Sequence, residues 1–69
     1  MLDVKALKIK MLTENYTVPQ LARTIEVTPS TMYKRLRGVG EFNRKQIEVL
    51  IDKLDIKEPT EIFFNNKVS

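Results

Sequence analysis

The chain has 69 residues, no cysteine and no histidine, and a formal net charge of +3 from 12 basic and 9 acidic residues. A chain of this length forms one domain, and 42% hydrophobic with 30% charged residues is typical of a folded globular protein. The composition excludes disulfides and thiolate metal sites, as well as catalysis by a cysteine or histidine. We therefore expect no enzyme activity, no metal and no cofactor. No stretch resembles a signal peptide or a membrane span, so a cytoplasmic location is expected.

A repeated pattern marks four predicted helix starts, where an apolar residue is followed by a residue that can cap a helix. The capping residues are Asp3, Thr17, Thr28 and Asn43. Each apolar residue has an apolar partner five positions later, as in a hydrophobic staple, and Gln20 and Gln46 add capping boxes. No stretch has the two-residue alternation of a strand. The sequence predicts an all-α fold, a compact bundle of four to five short helices.

Apolar periodicity places the helices at 4–14, 18–25, 29–37 and 44–54, followed by a short turn that opens at Pro59. One domain is expected over 1–64, and 65–69 are expected to fray. Phe63 and Phe64 cannot both be buried in a short terminal turn, so one is expected in the core. The residues expected on the buried helix faces are Val4, Leu7, Met11, Leu21, Ala22, Ile25, Met32, Leu36, Ile47, Leu50, Ile51 and Leu54.

The stretch 17–38 reads as two short helices joined by a tight turn. Thr28 caps the second of them, Pro29 occupies its first position, and Gly38 can end it with a positive φ. Met32 and Leu36 face the core, which leaves Ser30, Tyr33, Lys34 and Arg37 outward. Such a face can contact phosphates and base edges in the major groove, or it can be an ordinary solvated helix face.

Charge is unevenly distributed along the chain. Residues 1–15 carry +1, residues 16–45 carry +4, and residues 46–69 carry −2. The positive excess coincides with the outward face of the third predicted helix and the loop after it. An anionic polymer would be attracted there, with binding that weakens as salt rises.

The pattern T-x-x-x-L-A-x-x-I-x-V-T-x-S-T-M-Y-K-R-L-x-G over 17–38 resembles the Cro/CI-type, or XRE-type, helix-turn-helix family. The continuation E-F-x-R-x-x-I-x-x-L-I-x-x-L-x-I, ending in E-I-F-F, resembles small regulators of temperate phages of Gram-positive bacteria. The resemblance covers about 7–64 and implies a lambda-repressor-like helix-turn-helix DNA-binding domain in the cytoplasm of a bacterial host cell. Three positions depart from the family. Glu26 replaces the usual glycine of the turn, so either Glu26 adopts a strained conformation or the turn differs. Val18 replaces a residue that is often glutamine in the family, and Arg35 replaces one that is often apolar.

The resemblance also implies roles for individual residues toward double-stranded operator DNA. The base-reading positions correspond to Thr28, Ser30, Tyr33, Lys34 and Arg37. The phosphate-binding positions correspond to Gln20, Arg44 and Lys45, although the two cations can equally be solvated side chains.

Two functions follow from the resemblance. The first is a small phage or prophage transcriptional regulator of the lysis/lysogeny switch, a Cro-like repressor that reads DNA through 29–37 and is expected to gain affinity as a dimer. The second is an antirepressor, or modulator of repression, that binds the phage CI-type repressor and blocks its DNA binding. The candidate surface for a second copy or a repressor is apolar, and its residues are Ile9, Val49, Ile56, Phe63 and Phe64.

Overall fold

The computed structural model describes residues 2–64, which form five α-helices and no strand. The helices are α1 (Val4–Thr13), α2 (Val18–Thr24), α3 (Pro29–Leu36), α4 (Arg44–Lys53) and α5 (Pro59–Phe63). The all-α prediction is confirmed over this range. The tail at 65–69, for which fraying is predicted, lies outside the described residues. No helix among residues 2–64 is long and apolar enough to cross a bilayer.

Side-chain caps begin the first four helices, as the sequence predicts. Asp3 accepts a hydrogen bond from the Ala6 backbone N–H at 3.1 Å, and Thr28 accepts one from Thr31 at 3.2 Å. Thr17 and Asn43 each form a complete capping box with the glutamine three residues later. Each cap satisfies an N–H group that the helix itself leaves without a partner. By contrast, the side chain of Glu58, the N-cap residue of α5, makes no capping hydrogen bond.

All four capped helices end in the same backbone motif. The residue after the C-cap has a positive φ, and the next N–H group reaches back five residues to a carbonyl, which defines a Schellman motif. Each helix therefore ends one residue before its predicted end. The residues with positive φ are Asn15 (61°), Glu26 (62°), Gly38 (86°) and Asp55 (50°).

The core lies between the helices and contains the predicted apolar faces. Ala22 is completely buried where α2 packs against α3, and its small side chain allows a close crossing. Val4, Ile47 and Ile51 are only half-buried and pack against the edge of this core. The other residues predicted on buried faces are confirmed as buried: Leu7, Met11, Leu21, Ile25, Met32, Leu36, Leu50 and Leu54.

The last helix, α5, connects the two ends of the described chain. The Asp3 backbone N–H donates to the Ile62 carbonyl at 2.6 Å, next to the contact between α1 and α5. Phe63 is buried and meets Phe42 edge to face, with ring centroids 6.5 Å apart and planes at 84°. Phe64 is exposed. The prediction that one terminal phenylalanine joins the core is confirmed, and Phe63 is that residue.

Two residues of the predicted partner surface are in the core instead. Ile56 is 6% exposed and Phe63 is 5% exposed, so the prediction that they face a partner is wrong. The prediction extended the period of α4 past its end at Lys53. Asp55 reverses the backbone there, and the Ile56 N–H donates to the Ile51 carbonyl at 3.0 Å, which directs the Ile56 side chain back toward the helix it follows. Val49 is half-buried against the core.

The positive φ of Glu26 provides a test of the turn between α2 and α3. We expect Glu26→Gly to raise the free energy of unfolding by about 1 kcal/mol, because glycine has no Cβ to strain at φ 62°. The measurement is urea unfolding with an unchanged slope. Glu41→Gly is the matched control, since Glu41 is exposed and has no positive φ, and it should lower stability. An equal effect of both variants would contradict strain at Glu26.

Candidate nucleic-acid interface

The turn between α2 and α3 consists of residues 25–28 and fixes where α3 begins. Glu26 adopts the positive φ that its position requires, which is the first of the two alternatives that the sequence left open. The Val27 N–H then donates to the Ala22 carbonyl at 2.9 Å, and Thr28 caps α3 directly afterwards. Because both ends of this turn are hydrogen-bonded, α3 leaves α2 in a defined direction.

The two sides of α3 differ sharply. Met32 is completely buried and Leu36 is 7% exposed, so this side anchors the helix in the core. The predicted base-reading residues other than Thr28 lie on the opposite side, and all are exposed. We refer to them as the basic face; they are Ser30, Tyr33, Lys34 and Arg37.

The cations of α3 have different surroundings. Lys34 and Arg37 form no ion pair and no side-chain hydrogen bond with any residue of 2–64, so their donors are available to a ligand. Arg35 is half-buried, and its Nη1 donates to the Val39 carbonyl at 3.0 Å. A Cβ at Gly40 would overlap the same guanidinium. The third cation therefore secures the loop after α3 rather than extending the basic face.

Thr28 is exposed at the start of α3, but its hydroxyl already has two partners. The oxygen accepts from the Thr31 N–H at 3.2 Å, and the hydroxyl donates to the Thr31 Oγ1 at 3.0 Å. These bonds leave one lone pair of the hydroxyl oxygen able to accept, and the methyl group of Thr28 available for an apolar contact with a base. A thymine methyl is the apolar group that such a contact would fit.

The three predicted phosphate ligands are all exposed, with different hydrogen bonds. The Gln20 Oε1 accepts from the Thr17 N–H at 2.9 Å, so its amide N–H groups remain able to donate. Arg44 pairs with Glu48 at 3.4 Å, and both side chains are mostly exposed, so the pair contributes little stability. Lys45 makes no ion pair with any residue of 2–64. Of the two cations Arg44 and Lys45, Lys45 is thus the one that is free to bind a phosphate.

The remaining residues of the predicted partner surface are not brought together. Ile9 is 55% exposed in a groove between α1 and α5, whereas Phe64 is 57% exposed beside a second groove that is also lined by Gly38 and Phe42. Ile9 points away from the core, as predicted. The structure therefore separates the two exposed members of this surface into different grooves.

Two exposed apolar side chains were not predicted. Leu12 is 78% exposed on α1, and Val39 is 52% exposed after α3. Leu12 follows Met11 by one position, which turns it roughly 100° away from the buried face. That helical position is the sequence signal for its exposure. Val39 follows Gly38 in a loop, where helical periodicity gives no signal.

The other ionisable groups of residues 2–64 do not form a recognisable chemical site. Lys57 donates to Asp55 at 3.0 Å, and this hydrogen bond together with the lysine charge holds the pKa of the Asp55 carboxyl below its usual range. The pair lies between α4 and α5. Within residues 2–64, no group of three or more acidic, histidine or cysteine side chains could hold a metal ion.

Comparisons with protein-family models, with curated proteins and with solved structures find no match to this chain. The roles proposed for individual residues therefore rest on the sequence resemblance and on the geometry of the residues.

Thr28 allows its capping role to be measured separately from base contact. We expect Thr28→Val to lower the free energy of unfolding by about 1 kcal/mol, because the cap oxygen is lost while the shape is kept. Thr28→Ser keeps the oxygen and should leave stability unchanged. Thermal unfolding followed by circular dichroism provides the measurement. A Thr28→Val protein as stable as the original would show that the cap contributes nothing.

Proposed function

We propose that this chain is a sequence-specific DNA-binding regulator, and that α3 is its recognition helix in a helix-turn-helix. The basic face is the observation that carries the proposal. It combines two unpaired cations, a hydroxyl and a half-exposed tyrosine on one side of a helix that is anchored by Met32 and Leu36. The sequence resemblance to temperate-phage regulators supports a role for this activity in the lysis/lysogeny switch.

Each residue of the basic face has a chemical role in such binding. An α-helix fits the major groove of B-DNA, where guanine offers two acceptors to the donors of Lys34 or Arg37. Ser30 can donate to or accept from several bases, and Tyr33 offers an apolar ring to a thymine methyl. These contacts would determine which sequence is bound.

Backbone contacts would come from the helices on either side of α3. The free amide of Gln20 and the unpaired ammonium of Lys45 are available to phosphates, and Arg44 would have to leave Glu48 to join them. Such contacts fix the register of a protein on the duplex and carry no sequence information. A second copy would add affinity by placing another α3 about one turn of DNA away. Dimer formation remains a prediction, with Ile9 and Phe64 as its exposed candidates.

The second candidate function is an antirepressor that binds a CI-type repressor. Val18 at the first position of α2 favours it, because a frequent phosphate-binding glutamine of the family is replaced there by an apolar side chain. The pairing of Arg44 with Glu48 also leaves fewer free cations beside α3.

A titration against intergenic DNA next to the gene distinguishes the two functions. It is run at two salt concentrations, with and without the product of a neighbouring repressor gene. Saturable binding by the protein alone, weaker at higher salt, supports a DNA-binding regulator. Release of the repressor from its operator without direct DNA binding supports an antirepressor and refutes the first proposal.

Arg37 and Lys45 should respond differently to substitution. Arg37→Ala is expected to lose about 1–3 kcal/mol on the preferred site and to relax one base preference, because it removes a donor to base acceptors. Lys45→Ala is expected to weaken binding to all DNA sequences alike. It should also reduce the slope of the logarithm of the binding constant against the logarithm of salt concentration by about one unit. Binding to DNA selected from a random pool and to unselected DNA provides the measurement.

Lys53→Ala serves as the matched control for these variants. Lys53 is an exposed lysine in the last turn of α4, at the end opposite Lys45. Its removal should leave DNA affinity and salt dependence unchanged. The proposed roles are wrong if Arg37→Ala, like Lys45→Ala, lowers the affinity for unselected DNA as much as the affinity for selected DNA.

A further inference from the structure

An apolar groove lies beside the basic face. It runs between the second half of α1, the start of α2 and the second half of α3, and its volume is about 500 Å³. Its walls carry Leu12, Tyr16, Val18 and Tyr33. We refer to it as the α1–α3 groove. Its position matters because one of its walls, Tyr33, also belongs to the basic face.

Leu12 is the most exposed large apolar side chain of residues 2–64. It is 78% exposed, compared with 55% for Ile9 on the same helix. A single exposed leucine needs no explanation, but this one borders a groove with further apolar walls. Grooves lined mainly by apolar side chains are where proteins commonly bind the apolar part of another molecule.

The charge of the α1–α3 groove is of one sign. Lys8 and Arg37 line it, and no acidic residue of 2–64 does. Two other grooves within residues 2–64 contain carboxylates: Glu58 and Glu61 line the one between α1 and α5, and Glu41 lines the one near Phe64. The α1–α3 groove therefore favours an occupant that is apolar on one side and acidic around it.

We propose that the α1–α3 groove binds an acidic amphipathic helix of a partner protein, and that this helix competes with DNA. Competition follows because Tyr33 and Arg37 belong to both the groove and the basic face. This part rests on the proposed DNA-binding function. A partner that occupies the groove would release the protein from its operator, and by linkage DNA would weaken the binding of the partner.

The wall chemistry favours a helix over a nucleic acid. Leu12 and Val18 present branched aliphatic groups, which accept leucine or phenylalanine anchors spaced at i, i+4 and i+7 along a helix. Tyr16 and Tyr33 are the two aromatic walls on which bases could stack, but Leu12, the most exposed wall, offers no flat face of the kind that binding of single-stranded nucleic acid depends on. Lys8 and Arg37 stand where carboxylates that flank the anchors can pair with them.

The probe is a fluorescently labelled helical peptide of about 15 residues, with leucine and phenylalanine anchors at this spacing and glutamate elsewhere. A second peptide keeps the anchors and replaces every glutamate with lysine. Fluorescence anisotropy with the full chain should show saturable binding of the acidic peptide and at least about tenfold weaker binding of the lysine peptide, a difference of about 1.4 kcal/mol. Equal binding of both peptides would overturn the charge argument.

Leu12→Gln tests the location of binding. Glutamine has a high helix propensity, and an exposed position should accept it without unfolding. We expect this variant to bind the acidic peptide about tenfold more weakly, because the main exposed anchor of the groove is lost. Val39→Gln, which also replaces an exposed apolar side chain but outside the groove, should bind the peptide unchanged. Equal effects of the two variants would overturn the proposal.

Further readouts separate this proposal from the proposed function. Peptide binding is measured without DNA, so a protein that binds the peptide but no DNA supports the groove proposal alone. A protein that binds DNA but no peptide supports the proposed function alone. Simultaneous binding of peptide and DNA would overturn the competition. Sedimentation at several protein concentrations shows whether the chain associates with itself. If peptide binding is lost as the chain self-associates, the groove binds a second copy of this chain and the proposal of a partner helix is overturned. The partner helix would also be overturned if labelled single-stranded DNA binds more tightly than the acidic peptide and this binding is lost in Leu12→Gln.

Discussion

The stability of this fold depends on how each short helix begins and ends. Helices of five to ten residues are marginal on their own in water, so they persist through packing of their apolar faces. Packing requires the chain to reverse at defined positions. In the four longer helices, a side-chain cap fixes the start and a residue of positive φ fixes the end. After three of those ends, an apolar residue then returns to the core or its edge: Tyr16, Val27 and Ile56.

The end of α3 is the exception to this rule, and it shapes the candidate interface. Val39, the corresponding residue after Gly38, is exposed, so the chain leaves the core there. Arg35 compensates by holding the Val39 carbonyl, which removes one cation from the outward surface. Lys34 and Arg37 remain unpaired within residues 2–64. The division between cations that support the loop and cations that face solvent is thus set by the backbone after α3.

Much of this fold could be predicted because its signals are local. The caps at Asp3 and Asn43 and the buried pair Met32 and Leu36 follow from spacing alone. Ile56 was placed wrongly because nothing in its spacing reveals the reversal at Asp55; aspartate adopts positive φ more readily than most residues, but it does so rarely. The helix ends were extended by one residue because sequence periodicity does not distinguish a C-cap from the last residue of a helix.

The candidate site was predictable only in part. The outward position of the basic face follows from helical periodicity. The bond from Arg35 to the Val39 carbonyl does not, because it depends on where an irregular loop places a backbone oxygen. The α1–α3 groove combines side chains from three helices, so its shape depends on how those helices cross. Partner identity depends on molecules outside the chain, and a single sequence contains no direct signal for them.

The bond between Asp3 and Ile62 has a consequence for folding kinetics. Asp3 aside, the hydrogen bonds of residues 2–64 join groups no more than about five positions apart, and such local structure forms within about microseconds. Joining α1 to α5 closes the longest loop and carries the largest entropic cost. We therefore expect the capped helices and the α2–α3 pair to assemble early, and the closure of the chain ends to be the late step that sets the folding rate.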